Sequence, residues 1–143
     1  MTVNVRVYGI LVNNNQQILL SDETIRGNFY TKFPGGGLEI GEGTRDCLKR
    51  EFKEEMDLKV EVLDHFYTTD FYQQSAFNPD HQIISVYYHV STVDTINLDK
   101  INSQENTPEI FRFVDLSGFS IEDLSLPIDK KVAELLIQQF GRK

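Results

Sequence analysis

A glycine-rich turn followed by an acidic helix constrains this chain more than any other feature. Three consecutive glycines, Gly35–Gly37, precede a segment from Thr44 to Met56 that contains neither proline nor glycine. Apolar residues recur in that segment at spacings of three to four, which predicts an amphipathic helix with one face in a core. We expect Thr44 to be its N-cap, because a threonine hydroxyl can accept a hydrogen bond from an amide of the first turn.

The predicted helix also gathers carboxylates on one side. Glu54 and Glu55 follow Glu51 by three and four residues. Like charges at such spacings cost roughly 0.2–0.5 kcal/mol per pair unless something neutralises them. Arg50 can pair with Glu54, but one guanidinium cannot balance three carboxylates. Most acidic runs on helices are only solvated surface, whereas a hard cation such as Mg²⁺ or Mn²⁺ would make this one a metal site.

The spacing upstream of the helix favours the metal site. The chain matches the pattern G-x5-E-x7-R-E-U-x-E-E-x-G-U, where U is an apolar residue, at every defined position but one. The matching residues are Gly36, Glu42, Arg50, Glu51, Phe52, Glu54, Glu55 and Leu58. This pattern is the Nudix box, and the sequence resembles the Nudix hydrolase family, which includes MutT-like proteins. The one departure is Asp57, where the family usually has glycine. We expect the helix to end there regardless, because aspartate tolerates the left-handed conformation.

The resemblance implies a fold and a chemistry. The fold is α+β, a Nudix-type α/β/α sandwich around a mixed sheet, in a single domain over residues 1–143. The activity is Mg²⁺-dependent hydrolysis, with Mn²⁺ possible, of a nucleoside diphosphate linked to another group. The implied metal ligands are the Gly36 carbonyl, Glu51, Glu54 and Glu55. The implied catalytic residues are Glu51, Glu54 and Arg50, with one glutamate as general base and Arg50 orienting a carboxylate.

The substrate is left open by the sequence. A nucleoside triphosphate or small nucleotide derivative is favoured, while ADP-ribose, another nucleotide sugar or a dinucleotide remain alternatives. Candidate substrate-binding residues are Arg26, Phe29, Tyr30 and Glu109, and candidates for a second metal or a base are Glu105 and Glu109. A non-catalytic nucleotide sensor on the same fold is a further alternative. Such sensors typically lose a box glutamate or the arginine, and this chain keeps them all.

Composition narrows the partners and the compartment. A formal net charge of −8 argues against a nucleic-acid surface. With no signal-peptide pattern and no apolar run of membrane length, we expect a cytoplasmic protein without membrane contact. Cys47 is the only cysteine and is expected to be buried and structural. A homodimer is possible, as in many soluble proteins.

Periodicity predicts the remaining elements. Residues 2–12 and 17–20 are expected to form a hairpin, followed by a polar loop over residues 21–32. Further strands are expected at residues 58–67, 82–91 and 109–116, with polar connections at 69–81 and 92–108. A packing helix is expected from residue 126 to about 140.

Overall fold

The computed structural model of the chain describes residues 1–104 and 108–140. In chain order its elements are β1 (Thr2–Leu11), β2 (Gln17–Ile25), β3 (Asn28–Lys32), β4 (Gly35–Gly37), α1 (Thr44–Met56), β5 (Glu61–Thr68), β6 (His81–Ser91), α2 (Leu98–Asn102), β7 (Glu109–Asp115) and α3 (Pro127–Gln139). They form two compact units. The first comprises Met1–Leu11 and Pro34–Ile96, and the second comprises Val12–Phe33 and the described residues from Asn97 onward.

A four-stranded mixed sheet organises the first unit, in the order β4-β1-β6-β5. β1 runs parallel to β6, with Val7 opposite Val86, and antiparallel to β4, with Val7 opposite Gly36. The strand predicted at residues 82–91 is present as β6 and lies between β1 and β5. The pairing of β5 with β6 contains register shifts after Val62.

Helix α1 packs on this sheet through the predicted apolar stripe, which consists of Cys47, Leu48, Phe52 and Met56, all buried. A Cβ at Gly9 of β1 would lie only 2.8 Å from a ring carbon of Phe52, so the absence of a side chain there lets the helix approach closely. Asp57 ends the helix in the left-handed conformation (φ 53°, ψ 36°), as expected, and its amide donates to the Lys53 carbonyl.

The predicted cap of this helix is wrong. Gly43 occupies the N-cap and provides no side-chain hydrogen bond, while Thr44 is already the first helical residue. The Thr44 hydroxyl is instead 2.7 Å from the Tyr88 hydroxyl of β6. This tertiary hydrogen bond takes the place of the local one that the sequence pattern favours.

The second unit contains a three-stranded antiparallel sheet in the order β3-β2-β7. The predicted β1–β2 hairpin is wrong, because the two strands belong to different sheets. The intervening turn is closed by a bridge between Val12 and Ile18 and by the Asn13 amide, which donates to the Gln17 carbonyl. The predicted loop over residues 21–32 is also wrong. β2 continues to Ile25, and a tight turn at Arg26 and Gly27, both with positive φ, leads into β3.

The helices and connections of the second unit complete the fold. The connection before β7 contains the short helix α2, whose Asn102 side chain exchanges two hydrogen bonds of 2.8 Å with the Phe111 backbone. Helix α3 matches its prediction and buries Ile128, Val132, Ala133 and Leu136. The expected α+β class with a mixed sheet is therefore confirmed.

Candidate metal and active site

The glycine strand β4 accommodates a carboxylate of α1. A Cβ built on Gly36 would lie 2.5–2.6 Å from the carboxyl carbon and both carboxyl oxygens of Glu51. No side chain larger than hydrogen can therefore occupy this position without displacing Glu51. Gly36, the first residue of the predicted motif, thus lets a glutamate from the neighbouring helix rest against its backbone.

Arg50 joins the acidic residues of α1 to the loop that precedes the helix. Its Nη1 donates to Glu51 Oε1 at 3.1 Å and to Glu54 Oε2 at 3.1 Å. Its Nη2 donates to the Gly37 carbonyl at 3.1 Å. The predicted pairing of Arg50 with Glu54 is thus present, and the same guanidinium also links the helix to β4.

The strongest contact of Arg50 is with Glu42. Arg50 Nε donates to Glu42 Oε2 at 3.0 Å, and Nη2 donates to Oε1 at 2.7 Å, which is the bidentate geometry that favours an arginine–carboxylate pair. The Glu39 amide donates to the same carboxylate at 2.9 Å. The hydrogen bonds from Arg50, followed by that from the Glu39 backbone, lower the pKa of Glu42 to about 2. The bond to Glu42 likewise holds the pKa of Arg50 above its usual range.

Cys47 lies beside the Arg50–Glu42 pair. Its side chain is fully buried, and its Sγ donates to the Gly37 carbonyl at 3.5 Å. Burial, together with the neighbouring Glu42 carboxylate, raises the pKa of the thiol to about 12. A buried thiol with a raised pKa is a poor nucleophile at neutral pH. The expectation that Cys47 is structural is therefore confirmed.

The chemistry of the donor set fits a hard divalent cation. Glu51 and Glu54 are 16% and 55% exposed respectively, and Glu55 is half-buried. Together with the Gly36 carbonyl they offer only oxygen, the atom that Mg²⁺ and Mn²⁺ prefer. The missing side chain at Gly36 lets the Glu51 carboxylate lie directly against the backbone of β4.

The carboxylates are not arranged as a finished metal cage. Over residues 1–104 and 108–140, no three histidine, cysteine, aspartate or glutamate side chains converge in a metal-ligating group. The hydrogen bonds to Arg50 explain this, because they turn oxygens of Glu51 and Glu54 toward the guanidinium. The Glu54 side chain is 55% exposed, so solvent rather than protein surrounds much of it. The all-oxygen donor set therefore fits a hard cation, while the rotamers in this structure favour hydrogen bonds with Arg50.

The other predicted site residues lie in the second unit. Arg26 is in the β2–β3 turn with φ 51°. Phe29 and Tyr30 follow on β3 and, as neighbours in a strand, point to opposite faces of its sheet. Phe29 is 66% exposed. Glu109 begins β7, and Glu105 lies outside the described residues.

A buried lysine beside Glu109 was missed by the sequence analysis. Lys32 is 5% exposed, and its Nζ lies 3.4 Å from Glu109 Oε2 and 3.5 Å from Glu23 Oε1. The Ser21 hydroxyl also donates to Glu109 Oε2. A lysine inside the otherwise aromatic and β-branched run before Pro34 was the available signal, since buried lysines are rare unless paired.

Comparison with known proteins identifies the family. The family model described as NUDIX domain matches residues 3–140. The chain belongs to the NUDIX family. The prediction of a Nudix hydrolase, made from the box residues, is confirmed by this match, which spans residues of both units. Nudix hydrolases in general use divalent cations and act on small nucleotide substrates.

Solved structures agree with the Nudix fold. A NUDIX hydrolase from Nitrosomonas europaea aligns over 99% of this chain and 92% of its own, with a TM-score of 0.74 and 17% identity. A MutT protein from Methanosarcina mazei Go1 aligns over 99% and 97%, with a TM-score of 0.71 and 17% identity. An ADP-ribose pyrophosphatase from Streptococcus suis aligns over 98% and 92%, with a TM-score of 0.64 and 20% identity. Identities this low establish the fold of the Nudix chain and leave its substrate open.

The structure bears on the membrane prediction only through the length and apolar character of its helices. None of the helices within residues 1–104 and 108–140 is long and apolar enough to cross a membrane. The cytoplasmic location and the homodimer stay predictions.

Proposed function

We propose that this Nudix protein is a Mg²⁺-dependent hydrolase that cleaves a phosphoanhydride in a nucleoside triphosphate or small nucleotide derivative. The observation that carries the proposal is the placement of the Glu51 carboxylate against the Gly36 backbone, with Arg50 linking Glu51, Glu54 and Glu42. This arrangement concentrates carboxylates beside the backbone of β4, so that carboxylate and carbonyl oxygens, the donors that a hard divalent cation prefers, lie near one another.

Each residue has a distinct role in the proposal. Glu51, Glu54, Glu55 and the Gly36 carbonyl would hold the cation. When bound, the cation masks phosphate charge and lowers the pKa of a water molecule. One of Glu51 and Glu54 takes the proton of the attacking water. Arg50 holds the Glu51 carboxylate in place, and Glu42 fixes Arg50 through the bidentate pair.

Two alternatives lead to different experimental outcomes. One structural neighbour is named an ADP-ribose pyrophosphatase. We therefore keep ADP-ribose and nucleotide sugars as alternative substrates. A nucleotide sensor without hydrolysis is the other alternative. The complete set of box residues argues for the enzyme, since sensors on this fold typically lose a box glutamate or the arginine, and Arg50 here contacts Glu42, Glu51 and Glu54.

The proposal is tested by product release from a nucleotide panel with Mg²⁺. The panel contains nucleoside triphosphates, ADP-ribose, nucleotide sugars and dinucleotides. We expect hydrolysis of at least one triphosphate or small derivative, and a loss of about 10²-fold or more in kcat for Glu54→Gln. The matched control is Glu134→Gln, which removes an exposed charge from α3.

The outcomes separate the alternatives. Hydrolysis confined to ADP-ribose or nucleotide sugars would make these the substrates instead of triphosphates, and the proposed metal-dependent hydrolysis would stand. Binding of a nucleotide without any product would favour the sensor. Equal activity of the wild type and Glu54→Gln would remove this carboxylate from the mechanism.

A further inference from the structure

The first turn of α1 has no side-chain cap at its N-cap residue, Gly43. Gly43 at the N-cap has no side chain to accept a helix amide, and Gly41 has a positive φ of 92°. A Cβ at either glycine would meet no heavy atom within 4 Å, so neither is packed against a neighbour. These two glycines therefore add no packing at the start of the helix, and the side chain of the intervening Glu42 contacts α1 one to two turns further on, at Arg50.

Tyr88 of strand β6 contacts the first two residues of α1 and so attaches the start of the helix to the sheet. Its hydroxyl is 2.7 Å from the Thr44 hydroxyl, at the first residue of the helix. The Arg45 guanidinium stacks on its ring, 4.8 Å from the ring centroid. The His65 ring meets the same tyrosine edge-on at 5.7 Å, and Tyr88 is only 8% exposed.

Arg45 extends the attachment to β5. Its Nη1 donates to the carbonyls of Val62 and Leu63, both at 2.9 Å. These carbonyls lie where the register of β5 against β6 shifts. The first two residues of α1 are thus bound to two strands of the sheet.

We propose that Tyr88, through Thr44 and Arg45, is a positioning residue for the carboxylates of α1. The inference rests on the proposed function, because it assigns these contacts to the geometry of the metal-binding carboxylates. Thr44 and Glu51 are about 10 Å apart along a rigid helix at roughly 1.5 Å per residue. A shift at the start of the helix therefore reaches Glu51.

Around Glu51 and Phe52, α1 packs so closely on the sheet that a small shift of the helix would change its contacts. The Glu51 carboxylate already lies within the space that a Gly36 side chain would fill. Phe52 fills the corresponding space over Gly9. Movement of α1 would separate Glu51 from the backbone of β4 and so change the position of one proposed ligand relative to the Gly36 carbonyl.

The test measures metal affinity as well as activity. Tyr88→Phe keeps the ring and removes the hydroxyl, and Thr44→Val removes the other hydroxyl. We expect each variant to bind Mn²⁺ about tenfold more weakly by calorimetry, a loss typical of residues that orient metal ligands. The double variant should be no weaker than either single variant, because both remove one hydrogen bond. Thr44→Ser should retain the affinity.

The matched control is Tyr67→Phe. Tyr67 lies in the same unit, but its hydroxyl donates to Asp70, which is not on α1. Its removal should leave Mn²⁺ affinity unchanged. Thermal unfolding without metal is recorded for every variant to report stability separately.

Three results would count against the inference, and they are distinguishable from one another. A lower melting temperature with unchanged Mn²⁺ affinity in Tyr88→Phe would show that the contact only stabilises the fold. A wild type that neither binds Mn²⁺ nor hydrolyses any nucleotide would overturn the proposed function itself. Additive losses in the double variant would show that the two hydroxyls do not act through one another.

Discussion

At the scale of single residues, Arg50 supplies a positive charge that offsets part of the repulsion among the glutamates of the candidate site. Its guanidinium contacts Glu42, Glu51 and Glu54. The pairing with Glu54 was predictable from the spacing of four residues. The bidentate pairing with Glu42 was not, because it depends on how the loop returns to the helix. The charge repulsion expected among the glutamates is thus offset in part by the protein itself.

The Glu42–Arg50 pair should make stability depend on pH. The folded-state pKa of Glu42, about 2, lies below its ordinary value of 4.5. A lowered carboxyl pKa stabilises the fold fully above the ordinary value, and that contribution is lost as the pH falls toward the folded value. We expect Glu42→Gln to be less stable than the wild type at neutral pH, with the difference shrinking between about pH 4.5 and 2.

Urea unfolding of both proteins across this pH range measures the difference. Asp46→Asn is a suitable control, because Asp46 lies in the first turn of the same helix without a resolved ion pair among the described residues. A difference between the wild type and Glu42→Gln that stays constant with pH would mean that the pair does not set the pKa of Glu42.

At the scale of elements, the helices and strands with a strong apolar periodicity were predicted correctly, whereas the strands that contain buried polar residues were not. Helices α1 and α3 and strand β6 follow their apolar patterns closely. Strands β2 and β3 were missed beyond Leu20, because Thr31 and Lys32 are buried polar residues satisfied by partners distant in sequence. The Nudix box was found because its chemistry fixes both residue types and gaps. The attachment at Tyr88 depends on tertiary contact and leaves no local pattern.

The uncapped start of α1 leads to a stability prediction. Gly43 has extended backbone angles (φ −81°, ψ 166°) that any residue adopts, and a Cβ there meets nothing within 4 Å. Gly43→Ser would add an acceptor for a first-turn amide and reduce the freedom of the unfolded chain. We expect a gain of about 0.5–1 kcal/mol in the free energy of unfolding.

Gly41→Ser is the matched control for this change. Gly41 also has open space around its Cβ position, but its φ of 92° strains any other residue. The two substitutions therefore differ mainly in backbone conformation, and Gly41→Ser should lower the free energy of unfolding. Equal effects of the two changes in denaturant unfolding would contradict the capping argument.

At the scale of the whole molecule, the net charge of −8 favours the binding of cations. A ligand that binds only the folded state stabilises it by about 2.7 kcal/mol at a concentration one hundred times its Kd. For a chain of this size we expect saturating Mg²⁺ to raise the Tm by about 5–10 °C. The shift should be much smaller in Glu54→Gln, because that variant lacks one proposed ligand.

General screening of the negative charge must be separated from binding at the site. Sodium chloride at matched ionic strength screens the charges without supplying a divalent ion. A specific site therefore requires a larger Tm shift with Mg²⁺ than with sodium, and a dependence of that difference on Glu54. If sodium reproduced the whole shift, the acidity of the chain would act only as a diffuse charge, and the carboxylates of α1 would not form a metal site.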